Sequence, residues 1–128
     1  MSYYLSKTLE VSFEEAVVRV TDGLKKEGFG ILTDIDIQKT INTKLGADFR
    51  KYRILGACNP PFAHKALLAE DKIGTMLPCN VIIQENGEHL IEVAAVDPVA
   101  SMQAVENPSL QEIVGQIKVK LKNVIDAL

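Results

Sequence analysis

The chain has 128 residues, 47% of them hydrophobic, which is one domain's length with enough apolar content for an ordinary core. It carries 14 Lys and Arg against 17 Asp and Glu, a net charge of −3 with no Trp; both signs are mixed along the chain, so the basic footprint and the base-stacking platform of a nucleic-acid binder are excluded. No apolar run reaches the length of a membrane span, the segment 1–11 lacks a signal-peptide core, and two cysteines without an export signal point to the reducing cytoplasm rather than to a disulfide.

Residues 3–10 alternate polar and apolar as a first strand. Ser12 then caps a helix, with Glu15 completing a capping box and Val11 and Ala16 placed for a hydrophobic staple. Phe13, Ala16, Val17, Val20 and Leu24 form one stripe at helical spacing, Lys25 and Lys26 complement the C-terminal dipole, and Gly28 ends the helix. A strand over 29–35 follows. Of Asp34 and Asp36, one caps the next helix; as a pair they offer carboxylates for a metal or for acid–base work, but no third ligand lies near them in sequence. Ile37, Ile41 and Leu45 recur every four residues, which predicts a buried face on that helix, and Gly46 stops it.

The third strand runs over 49–58 and ends on Cys58. Asn59 is placed as a helix N-cap and Pro60 at the first helical position, so the helix over 60–71 opens beside Cys58. The positive end of its dipole favours a thiolate there, which makes Cys58 a candidate nucleophile; the plain reading is a small buried hydrophobe. His64 lies one turn into this helix, on its polar side, within reach of Cys58 or simply solvated.

Leu77-Pro78-Cys79-Asn80 echoes the first Cys-Asn pair and opens a strand over 80–85. Asn86-Gly87 is a type I′ hairpin signal, with 89–96 returning. A two-residue loop at this point sets Ile83 opposite Leu90 and Val81 opposite Glu92, and places Cys79 and Glu92 on one face. Glu92 is a site candidate if that face is buried and a solvated charge if it is not. Asp97-Pro98 and Asn107-Pro108 repeat the cap-then-proline signature, and Ser109 with Glu112 offers a second capping box. The stripe Leu110, Ile113, Val114, Ile117, Leu121, Val124, Ile125 and Leu128 then describes a long amphipathic helix, packed on the sheet or forming a homodimer seam.

Whether the cysteines communicate depends on the order of the strands. A parallel crossover between the strands that end at Cys58 and begin at Cys79 separates the two by roughly 20 Å; antiparallel neighbours bring them side by side. A zinc site built on both cysteines with His64 or His89 has a weak signal. Nothing points to a serine triad, a phosphate loop or a dinucleotide fingerprint.

Cys58-Asn59-Pro60, Leu77-Pro78-Cys79-Asn80-Val81, the Asn86-Gly87 turn and Val96-Asp97-Pro98 followed by Met102 occur in this order and at these distances over essentially the whole chain. In this the sequence resembles the bacterial and archaeal domain of unknown function 302 family. The resemblance implies a compact α+β domain with a curved sheet, a homodimer, and no assigned reaction, with the cysteine of Leu-Pro-Cys the more regular feature.

The expected fold is therefore a single α+β domain over 1–128, with a mixed sheet of about five strands, an Asn-Gly hairpin and a long C-terminal amphipathic helix. The leading functional expectation is a binding or accessory protein that holds a small molecule, metal or sulfur species near Cys58, Asn59, His64, Cys79, Asn80 and Glu92; no particular metal or cofactor is indicated. A thiol redox or persulfide-transfer enzyme using Cys58 and Cys79 is the alternative, and a structural dimer that recruits a protein partner is the second.

Overall fold

The computed structural model describes residues 2–128. Five strands form one sheet in the order β1-β5-β4-β3-β2, from β1 (Tyr4–Leu9), β2 (Gly30–Asp36), β3 (Tyr52–Cys58), β4 (Cys79–Gly87) and β5 (Leu90–Val96). Every pairing is antiparallel, where a mixed sheet was expected. The difference lies in the excursion between β3 and β4. Helix α3 (Pro60–Ala69) runs out and a 3₁₀ helix (Asp71–Met76) runs back. The first covers about 15 Å and the second about 12 Å at their ordinary rises. The chain thus re-enters the sheet at the end where it left, and Ala57 pairs with Cys79.

Helices α1 (Phe13–Lys26) and α5 (Pro108–Asp126) cover one face of the sheet. Ser12 caps α1 as expected, its hydroxyl accepting from the Glu15 amide at 3.1 Å, but the Glu15 carboxylate turns to Arg19 instead of closing the box. Phe13, Ala16, Val20 and Leu24 are buried against Val81, Ile83, Ile91 and Val93 in the main core. On α5 the stripe Leu110, Val114, Ile117, Leu121, Val124 and Ile125 is buried within the chain, its C-terminal part in the main core on the sheet and Leu110 and Val114 in a second cluster, so internal packing accounts for it. At about 1.5–3 kcal/mol for each large aliphatic side chain, this burial dominates the fold's stability.

Two short-range readings are corrected. Helix α2 (Ile37–Leu45) buries none of its residues, and Leu45 is 76% exposed. It follows β2, the edge strand, and packs only lightly beside β3, so Ile37 and Ile41 are half-buried while Leu45 is left outside. The hairpin also turns later than expected. Gly87 pairs with Leu90 around a Glu88-His89 turn, with an irregularity at Asn86, and Ile83 pairs with Val93 rather than with Leu90. The odd shift puts Val81, Ile83, Ile91 and Val93 on the helix-covered face together. Burying four aliphatics outweighs the Asn-Gly turn preference and the left-handed backbone at His89, φ 52°.

Helix α4 (Pro98–Ser101) is capped by Asp97, whose carboxylate accepts from the amides of Val99 and Ala100. With α3, the 3₁₀ helix and the first half of α5 it encloses a second apolar cluster around Ala66, Ile73, Leu110 and Val114. No helix among the described residues is long and apolar enough to cross a membrane.

Candidate functional site

The β3–α3 junction is built from Cys58-Asn59-Pro60-Pro61. Asn59 occupies the N-cap position, and its carbonyl accepts from the Ala63 amide at 2.9 Å, but its side chain makes no cap bond. Instead its amide Nδ2 donates to the carbonyl of Glu27 at 3.1 Å, at the C-terminus of α1. That helix ends in a Schellman-type turn: the amides of Gly28 and Phe29 return to Lys25 and Leu24, with Gly28 at φ 85°. Pro60 and Pro61 remove two amides from the mouth of α3, leaving few donors for an anion or a thiolate.

Next to this junction lies a cleft of about 330 Å³ between α3, the 3₁₀ helix, α4, α5 and the ends of β3 and β4. Both cysteines line it, with Asn59 as the one polar side chain among its walls in the described residues. The rest of the lining is apolar, including Phe29, Phe62, Leu67, Met102, Val114 and Ile117. A bulge in β2 between Ile31 and Thr33 inserts Leu32, which also lines the cleft while 67% exposed. Volume and lining are those of small-ligand pockets, which begin at roughly 300 Å³ and are mostly apolar with a few polar groups.

The antiparallel order brings the cysteines to one site, Cys58 being adjacent to the cross-strand partner of Cys79. Both are free thiols, Cys58 half-buried and Cys79 buried. Burial pushes the Cys79 thiol up to about 11, with the neighbouring Cys58 adding to the shift. At neutral pH it is therefore a protonated, small hydrophobe in the wall of the cleft.

Of the other sequence candidates, His64 is exposed on α3 and does not line the cleft. Asn80 and Glu92 lie on the face of the sheet opposite the one covered by α1 and α5. Glu92 was expected to share a face with Cys79; the shifted hairpin register separates them, and Glu92 pairs with Gln84. There the Glu92 carboxylate accepts from Gln84 Nε2 at 2.7 Å, and Gln84 Oε1 accepts from Arg50 at 2.9 Å. Asn80, Gln84 and Glu92 line a separate groove of about 350 Å³ with Tyr3, Tyr4 and Tyr52. The Asp34–Asp36 pair resolves into an Arg53 ion pair and the cap of α2. Among the described residues no three His, Cys, Asp or Glu side chains gather as a metal site.

Phe62, Leu67, Met102 and Val114 line the cleft but were not among the site residues expected from the sequence, where Phe62, Leu67 and Val114 read as the apolar faces of helices. Their spacing is that of core residues, and spacing does not distinguish a side chain packed on a neighbour from one facing a cavity.

The family model for the domain of unknown function DUF302 matches residues 5–128. In fold the chain is similar to the crystal structure of an uncharacterized conserved protein, DUF302, from Bacillus stearothermophilus: 25% identity, 98% of each chain covered, TM-score 0.91. No curated protein matches the chain. With a family model spanning nearly its whole length and a solved structure superimposing throughout, the chain belongs to the DUF302 family.

Proposed function

We propose that the protein binds a small, largely apolar ligand in the cleft walled by Cys58 and Cys79, acting as a binding or accessory protein rather than as an enzyme. The observation that carries this is the cleft itself: about 330 Å³ with a nearly continuous apolar lining and exposed Leu32 and Leu67 among its walls. Apolar surface left open to water on this scale favours an occupant. Two free thiols suit the reducing cytoplasm, where we place the protein. We also keep the homodimer that the family resemblance implies. Because the α5 stripe is consumed by packing within the chain, the seam must use another surface.

The test is a titration with the uncharged fluorophore N-phenyl-1-naphthylamine, run on the wild type and on Ala66→Phe. Ala66 lines the cleft and is 6% exposed, so the added ring fills the space. Saturable binding by the wild type and its loss in a variant that keeps the wild-type circular dichroism supports the reading. Absence of saturable binding, or binding indifferent to the substitution, overturns it.

The thiol reading rests on the placing of both cysteines along one cleft. In it, Cys58 is the nucleophile and Cys79 the resolving partner. The high pKa of Cys79 opposes its ionisation and ranks this reading second. Intact mass after mild peroxide treatment tests it: two unchanged thiols would remove it.

A further inference from the structure

Phe62 forms part of the cleft wall, and two lysines stand over its ring. Lys65 Nζ, one turn along α3, lies 5.6 Å from the ring centroid, and Lys120 Nζ, from α5, lies 5.7 Å from it. The two ammonium groups therefore approach the same side chain from two different helices. Among the described residues, neither makes an ion pair with a carboxylate. The ring's quadrupole attracts each ammonium, and two cations beside one ring, neither paired with a carboxylate among the described residues, form an arrangement that an anion can complete.

Helical spacing relates these lysines to the cleft. On α5, Ile113, Val114 and Ile117 line it, and Lys120 follows Ile117 by three residues on nearly the same face. On α3, Phe62, Ala63, Ala66 and Leu67 line it, with Lys65 next to Phe62 at the border of that face. One residue of the apolar wall, Phe62, thus has two ammonium groups within 5.7 Å of its ring centroid, on side chains that do not themselves line the cleft.

We infer that the ligand of this cleft is an amphiphile with an anionic head, its apolar chain within the cleft and its head between Lys65 and Lys120 over Phe62. This rests on the reading of the cleft as an apolar binding site and adds the polarity and the end at which the ligand's charge lies. A small cleft suits a medium-length chain better than a long one. Cys79, protonated and buried, contributes apolar wall to the chain.

The experiment compares three probes of equal chain length by isothermal titration: decanoate and decyltrimethylammonium below their micelle concentrations, and decanol below its solubility limit. Decanoate should bind saturably, and about tenfold or more tighter than the other two, the usual scale of a charge-assisted contact. In the double variant Lys65→Gln/Lys120→Gln, decanoate should fall to the affinity of decanol, while decanol is unchanged. Ala66→Phe should abolish binding of both. Equal affinities for decanoate and decanol would overturn the anionic head and leave the apolar cleft standing. Tighter binding of the cationic probe, or decanoate binding that survives the double lysine variant, would also overturn it. Failure of all three probes to bind would overturn the cleft reading itself.

Discussion

Asn59 stands at a helix N-cap without its side chain capping the helix. It is 7% exposed, and its amide satisfies the Glu27 carbonyl across the α1–β2 turn. Asn59→Ala would leave that carbonyl short of a partner and should cost about 1–3 kcal/mol, read from urea unfolding; an unchanged midpoint would mean that water replaces the bond. Because α1 ends where β2 begins, the loss should also loosen Phe29 and Leu32, two walls of the cleft. In the sequence, Asn-Pro gave the position of this residue but not its partner. A cap is a local pattern, whereas a bond to a residue 32 positions away is a product of tertiary packing. His64 shows the same limit from the other side: helical spacing assigned it to the polar side, where it lies, but could not say that the cleft would form without it.

At the scale of elements, helix starts marked by a capping residue were the legible features. Helix α1 is bounded by Ser12 and Gly28, and α4 and α5 follow Asp97-Pro98 and Asn107-Pro108, all as the residues indicate. The β4–β5 hairpin was legible as a hairpin but not in its register, because its strands carry aliphatics on both faces and only the position of the helical layer decides between them. Asp97 joins two of these elements. It caps α4 and receives Lys118 of α5 at 2.9 Å. Burial tends to raise its carboxyl's pKa, but the Lys118 bond and charge and the amides of Ala100 and Val99 prevail and hold it below the ordinary 3.8. The folded state therefore binds fewer protons than the unfolded one just below that value. The stabilisation is complete above pH 4 or so and is lost as pH falls through the lowered pKa. Asp97→Asn should be less stable than the wild type at neutral pH, and the gap should narrow in acid. Urea midpoints at both pH values check this, and a constant gap would refute it.

On the scale of the whole molecule, the sheet has one face covered by α1 and α5 and another that carries Asn80, Gln84 and Glu92. The fold class and the number of strands could be read from alternation and turn residues. The all-antiparallel order could not, because α3 and the 3₁₀ helix read equally well as a crossover, and that order is what places Cys58 and Cys79 along one cleft. The same order makes β2 an outer strand. It has no buried residue, and Leu32 and Ile35 are 67% and 44% exposed. Its outward main-chain amides and carbonyls could template a strand from another molecule. The bulge at Leu32 and the charges of Asp34 and Asp36 are the features that blunt this edge. Asp34→Asn/Asp36→Asn keeps a capping side chain for α2 but removes both charges. Light scattering during prolonged incubation should then rise well above that of the wild type, and equal scattering would show that the bulge alone suffices. An edge strand without a buried residue thus offers a template for fibrillar self-association, and the two aspartates read in the sequence as a carboxylate pair fit the part of gatekeepers against it.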